Sequence, residues 1–315
     1  MSNEQKQHEE ELWQRAREFE GIPRAESYHE LSKIAYDRAE YSEALNMCLI
    51  AKEIFEKEQA NEYTAEILNL YQGIVNSYEC LEECEKAENA LKEAIALARE
   101  KDDSQLSLLL RQLGRLYFGH DKFQESIETH LEAMELPEIS GQKGYSGIDY
   151  LNLGMSYQRL KDFAEAVRLE KIALEKFREE EAESFWFVQV FGELCESYVG
   201  LNMADEILEN GQKALDWWEI EKSYKKVSIL KRYLAIAHRL RGDLDKALDL
   251  LMEARELVID YAKHPQEYLV EIDKEEGEIL IMQGKVEKGQ EMIRRANSVQ
   301  SLLDEGRKKH EEIDL

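Results

Sequence analysis

The chain is poor in residues that interrupt helices, with 3 prolines and 16 glycines in 315 positions. That scarcity argues against a strand-and-turn protein and for an all-helical one. Its 4 cysteines, Cys48, Cys80, Cys84 and Cys195, are too few to staple a chain of this size as a disulfide framework. No run of 18 apolar residues occurs, so no membrane-spanning helix is expected, and the opening MSNEQKQHEEELWQ holds no apolar signal core. Positive charge is also short: 41 Lys and Arg stand against 67 Asp and Glu, a net charge of −26. Such a chain repels phosphate at long range, which disfavours nucleic-acid and anionic-membrane partners and fits a cytoplasmic protein with an acidic surface.

Signatures of catalysis are missing as well. The 7 histidines, His8, His29, His120, His130, His238, His264 and His310, fall in no HExxH or HxH spacing, and no Ser or Cys carries a local nucleophile signature. Cys80 and Cys84 stand four apart, but no second pair of ligands matches them, and Cys84 falls on a core position of the repeat described below. The stretch SGQKGYSG at 140–147 follows a helix rather than a strand and lacks the spacing of a phosphate loop. No catalytic residue, metal or cofactor is therefore expected.

What is present is a repeat. Residues 110–137 and 150–177 align on Leu-Gly-x-x-Tyr (Leu113, Gly114, Tyr117; Leu153, Gly154, Tyr157). An aromatic follows (Phe123, Phe163), then a small residue (Ser126, Ala166), then alanine (Ala133, Ala173). Walking this template outward gives seven first-helix anchors, Leu31, Ile74, Leu113, Leu153, Leu194, Leu234 and Glu276, at a period near 40 residues. Small residues let paired helices approach, and large ones fill the space between units. Breaks are expected at Asn61, Asp103–Ser104, 137–147, Ser184, Ser223 and His264–Pro265.

This pattern resembles the tetratricopeptide repeat (TPR), in the lengthened form of kinesin light chains and of bacterial peptide receptors of the Rap type. The resemblance implies an all-α fold: an α-solenoid, a right-handed superhelix of about seven helix pairs. It covers 26–301, with an N-terminal helix in 1–25 and a C-terminal tail at 302–315, whose charged run GRKKHEEIDL is expected to be a frayed helix end. The short N-terminal segment has room for one helix and not for the DNA-binding or helical-bundle effector of those receptors.

In such a solenoid the first helix of each pair lines the concave face, at positions i, i+3, i+7 and i+10. In repeats three to six that register gives Arg111, Arg115, Arg232 and Arg239 against one acid, Glu196, with Arg159 one position off. A basic centre within an acidic shell is the expectation, where the guanidinium fork suits carboxylates; the alternative is that these arginines pair with glutamates on neighbouring helices. Asn69, Gln72 and Asn76 on one helix face, with Asn152 further on, offer donors and acceptors to an extended peptide backbone. Phe118, Met155 and Gln158 complete the expected peptide-binding set, with Leu108, Leu151 and Ile236 as apolar neighbours. A chaperone-type carboxylate clamp is not expected, because Gln189 and Glu193 stand where its last two cations belong. The expected function is a non-enzymatic scaffold or peptide receptor whose partner is a protein or peptide with an acidic group or free C-terminus. The alternative is an acidic inhibitor or decoy that engages a basic protein through its outer surface. The aromatics Phe185, Trp186, Phe187, Trp217 and Trp218 are expected to pack in the core or between repeats, the alternative being an exposed hot spot for a partner.

Overall fold

The computed structural model describes residues 3–59, 62–101, 104–136, 145–220 and 223–313. It holds fifteen α-helices, with no strand among the described residues. They are α1 (Asn3–Glu18), α2 (Ile22–Asp37), α3 (Tyr41–Gln59), α4 (Thr64–Cys80), α5 (Cys84–Glu100), α6 (Leu106–Gly119) and α7 (Phe123–Glu135). There follow α8 (Gly147–Arg159), α9 (Phe163–Glu179), α10 (Ser184–Gly200), α11 (Ala204–Ile220), α12 (Tyr224–Arg241), α13 (Leu244–Tyr261), α14 (Gln266–Met282) and α15 (Val286–Ile313). After α1 the helices form seven pairs, and each of the seven anchors lies in the first helix of its pair.

The connection inside every pair is built the same way. Eight residues past each anchor the backbone is left-handed: Ala39 (φ 61°), Glu82 (59°), Asp121 (57°), Lys161 (65°), Asn202 (56°), Gly242 (85°) and Gly284 (82°). The following amide then closes onto a carbonyl of the preceding helix. Glu40 donates to Ala35, Glu83 to Tyr78, Lys122 to Tyr117, Asp162 to Tyr157, Met203 to Tyr198, Asp243 to His238 and Lys285 to Leu280, all at 2.9–3.0 Å. This is the Schellman closure, which satisfies carbonyls the helix leaves open. Glycine fills the left-handed position in the last two pairs alone, so the other turns are hard to see in the sequence.

The seam between paired helices is set by side-chain volume. One alanine recurs in every second helix, Ala51, Ala94, Ala133, Ala173, Ala214, Ala254 and Ala296, and all seven are buried. The residue after each anchor faces the residue sixteen further on, and the two sizes compensate. Gly114 lies under His130, Gly154 under Glu170, and Gly277 under Ile293, whereas Cys195 stands over Gly211. In the other three pairs the residue sixteen further on is Cys48, Leu91 or Leu251, all buried.

Contacts divide the chain into two compact units, Met1–Gly144 and Tyr145–Leu315, each a segment of α-solenoid. In the first, α2 also packs on α4; in the second, α8 packs on α10, α10 on α12 and α12 on α14. First helices thus stack on first helices within each unit. The second unit opens with a capping box in which Ser146 and Asp149 satisfy each other's backbone amides at the start of α8. Its core joins Phe177, Val190, Leu194, Ile207, Trp218 and Leu230. Trp186 of α10 stacks on Phe177 of α9 with ring centroids 5.5 Å apart, across neighbouring pairs, while Trp218 meets Phe185 edge-on at 5.9 Å within one pair.

Local departures from expectation have physical reasons. Ser184 is the first residue of α10 rather than its cap, because the chain enters from an extended Glu183. Ser223 stands at the cap of α12 without bonding through its side chain. Cys84 does not fill a core position: it opens α5 half-buried, and Cys80 is exposed. The α15 helix continues through Ile313 and takes in the described part of the segment set apart as a tail. Asn61, Asp103 and 137–144, with the glycine-containing stretch that begins at 140, lie outside the described residues. No helix among the described residues is long and apolar enough to cross a membrane, and no cluster of three or more His, Cys, Asp or Glu there could hold a metal.

Candidate functional site

In the first unit, the helical register brings several expected residues to one cavity. A space of about 230 Å³ opens along α2 and α4, lined by His29, Lys33, Tyr36, Asn69, Gln72 and Asn76 among others. The amides of α4 are tied into a row. Gln72 Nε2 donates to Asn76 Oδ1 at 2.9 Å, and Gln112 Nε2 of α6 donates to the same oxygen at 3.2 Å. Asn76 is thereby oriented, while Asn69 stands exposed at the start of the row. Burial holds the His29 imidazole below its ordinary range, which favours the neutral ring. The Tyr36 hydroxyl lies 3.4 Å from Cys80 Sγ, and that contact together with burial pushes the phenol up to about 12.

On α6, Arg111 is half-buried and Arg115 exposed. Phe118 is half-buried and meets Phe123 edge-on, with centroids 5.7 Å apart. Burial raises the Glu79 carboxyl, and the positive charge of Arg115 opposes that rise.

The remaining expected residues belong to the second unit. Asn152 is half-buried on α8, and Met155 packs against the core. Gln158 is 3% exposed and donates to the Glu193 carbonyl and to Ser197 Oγ, each at 3.1 Å. It is a buried strut between α8 and α10, not a surface group that meets a ligand. Arg232 lies over the Tyr233 ring, its guanidinium carbon 4.9 Å from the centroid. Arg239 is committed to α14: Nη2 pairs with Glu275 at 3.1 Å and Nη1 with Glu278 at 3.6 Å. Template positions had set one acid, Glu196, against these arginines. Around the first helices of this unit also stand Glu193 and Glu275, each one step off the ideal register, and Glu278, which the register itself places inward on α14.

A second cavity of about 230 Å³ lies between α8, α10 and α12. Arg159, Gln189, Gly192, Glu193, Glu196, Trp218, Lys226 and Tyr233 line it. Sequence reasoning did not select Glu193, Trp218, Lys226 or Tyr233. Lys226 stands three residues before the inward Ile229, and Glu193 four after the inward Gln189, so a wider angular window would have included both. Trp218 comes from the second helix α11, which the register excludes.

The repeated hairpin, its left-handed turn and its alanine seam define a helix-pair repeat protein. Residues 150–180 match the model of the tetratricopeptide repeat, and the same positions recur in the six other pairs. No curated protein sequence matches the chain. Solved structures share its fold. A Signal Transduction ATPase with Numerous Domains with a tetratricopeptide repeat sensor, from Pyrococcus horikoshii, is 16% identical with a TM-score of 0.61 over 89% of this chain. The match spans only 43% of that ATPase. The apo form of RapI is 14% identical with a TM-score of 0.58, over 90% of this chain and 99% of RapI. Aspartyl phosphate phosphatase F from Bacillus subtilis is 16% identical with a TM-score of 0.52, over 76% of this chain and 61% of the phosphatase.

Proposed function

We propose that the chain is a non-catalytic scaffold that holds an extended peptide or protein segment against the first helices of its pairs. The observation that carries this reading is the amide row of α4 along the first cavity. An extended backbone presents alternating donors and acceptors, and Asn69 and Gln72 supply both kinds without a net charge. Arg111 and Arg115, on the next first helix, supply the basic part of the face and a match for an acidic side chain or free C-terminus. Arg232 and Arg239 are left out of this role, the second because it is paired with Glu275.

Peptide arrays printed with free and with amidated C-termini test this reading. Replacing Asn69 and Gln72 by Ala is expected to weaken capture of both series, by roughly tenfold or about 1.4 kcal/mol. Replacing Arg111 and Arg115 by Ala is expected to weaken the free-acid series selectively. Capture that is unchanged in both variants would refute the reading.

A second reading, an acidic inhibitor that engages a basic protein through the outer surface, is favoured by one observation. A cavity of about 450 Å³ between α11, α12 and α13 is lined by Glu219, Glu253, Glu256, Asp260 and the stacked rings of Tyr224 and Tyr261. Lys231 answers Glu219 and Glu253 there, at 3.6 and 2.8 Å. Binding that falls steeply with salt and is lost on reversing Glu256 and Asp260 would favour this reading over the first.

A further inference from the structure

We propose that the cavity between α8, α10 and α12 is a binding site for a primary ammonium or guanidinium group, as carried by a lysine or arginine side chain or an amino terminus. The site lies wholly within the second unit and does not depend on the peptide reading of the first.

The carboxylates at this place have no direct ion pair among the described residues; Arg159 and Lys226 line the same cavity and favour the ionised Glu193 only from a distance. Glu193 accepts from the Gln189 amide at 2.7 Å, and Glu196 from the Tyr233 hydroxyl at 3.0 Å. Behind them Glu170, with no exposed surface, accepts from Ser197 Oγ at 3.1 Å, and its Oε2 has no hydrogen-bond partner. Gln158 bridges this layer to the cavity wall, and its own Oε1 is also unpartnered. Among the described residues no cation lies within ion-pair distance of any of the three acids. By contrast, Glu275 has Arg239, and Asp273 and Glu276 share Arg255 at 2.7 Å. Desolvated carboxylates without a counter-ion are costly, and a cation entering the cavity would relieve that cost.

The nearest cations of the chain do not fill this role. Lys226 donates to Gln189 Oε1 at 2.9 Å and lies 3.8 Å from the centre of the Trp218 ring. The wall therefore already holds one ammonium by its aromatic face, which shows its chemistry. Arg159 stands exposed at the lip. An anionic ligand would add its charge to Glu193 and Glu196, and a neutral one would leave them without a direct ion pair. Space is available too: a Cβ built on Gly192 would meet nothing within 4 Å.

The groups that face the acids are Arg159 of α8, Glu170 of α9, Glu193 and Glu196 of α10, and Lys226 and Tyr233 of α12. Burial pushes the Glu193 carboxyl up to about 7 and the Glu170 carboxyl up to about 8. A bound cation favours their ionised forms, so binding releases protons and strengthens as pH rises.

The test uses the full chain and three capped amino acids: N-acetyl-lysine methylamide, N-acetyl-arginine methylamide and the uncharged N-acetyl-norleucine methylamide. Binding is followed by NMR and by calorimetry in buffers of different ionisation enthalpy. The lysine and arginine probes are expected to bind saturably, to release protons, and to bind severalfold more tightly at pH 8 than at pH 6. Gly192→Leu, which fills the cavity on a helix that gains from losing glycine, is expected to weaken binding by roughly tenfold without lowering the unfolding midpoint. Norleucine binding as well as lysine, binding that survives Gly192→Leu, or an absence of proton release would each overturn the proposal. Because the probes are single residues, failure of peptide capture by the first unit leaves this result unaffected.

Discussion

At the scale of single residues, the buried acid Glu170 sets a dependence on pH. Its carboxyl is raised to about 8 by burial and by the neighbouring charge of Glu193. In the unfolded chain a glutamate ionises near 4.3. Between those values the folded protein keeps a proton that the unfolded chain has lost, so stability falls as pH rises from about 4.5 to about 8. Glu170→Gln keeps the size and removes the titration. It is expected to be more stable than the parent at pH 8, by on the order of 1–3 kcal/mol, and to show a smaller loss of melting temperature between pH 5 and pH 8. A variant with the same pH profile as the parent would show that Glu170 is not the responsible group.

Single helices and their junctions carry the next two predictions. Lys161 and Ala39 hold the left-handed position of their turns with ordinary side chains, which costs about 1 kcal/mol each. Replacing either by Gly is expected to raise the unfolding free energy by up to that amount, despite glycine's freedom in the unfolded state. Urea titrations of the two variants, separately and together, check this. At the last hairpin the helices touch backbone to backbone: a Cβ on Gly277 would lie 2.9 Å from the Gly289 carbonyl, and one on Gly289 would collide with the Gly277 carbonyl. Backbone cannot swing aside as a side chain can, so Gly289→Ala is expected to cost about 2 kcal/mol or more and to loosen α15 in hydrogen exchange.

The same scale shows what the residues disclosed. The pairs were legible because the alanine of each second helix and the anchor of each first helix are fixed by packing, and packing leaves few choices of size. The turns were obscured where Glu82, Asp121 and Lys161 occupy a conformation that tertiary contacts impose on them. The candidate sites were legible only where a side chain points along the ideal register, as Asn69, Gln72 and Asn76 do. Arg239 looked like a ligand group because its partner Glu275 lies a full repeat away in the sequence, and pairing across that distance leaves no local trace. Trp218 reaches its cavity from the second helix of a pair, which no first-helix template includes.

For the molecule as a whole, the net charge of −26 is the dominant long-range term. Like charges across the surface repel in the folded state, and dissolved salt screens them over about 10 Å at 0.1 M. Raising sodium chloride from about 20 mM to about 500 mM is expected to raise Tm by several degrees, measured by circular dichroism. Surface ion pairs such as Lys57 with Glu53 and Lys213 with Glu209 oppose this trend only weakly, because exposed pairs contribute little. A Tm that falls with salt would mean that local pairing outweighs the overall repulsion.

The compensated seam has a consequence for how such a chain can change over time. Where glycine stands at this seam, the facing residue alone carries the bulk, and the glycine is found on either helix of the pair. Cys195 over Gly211, beside Gly154 under Glu170, is that exchange already made between adjacent repeats of one molecule. Bulk can thus migrate from one strand of the hairpin's lineage to the other by paired substitution, leaving the helices where they were while the chemistry inside the wall is rewritten.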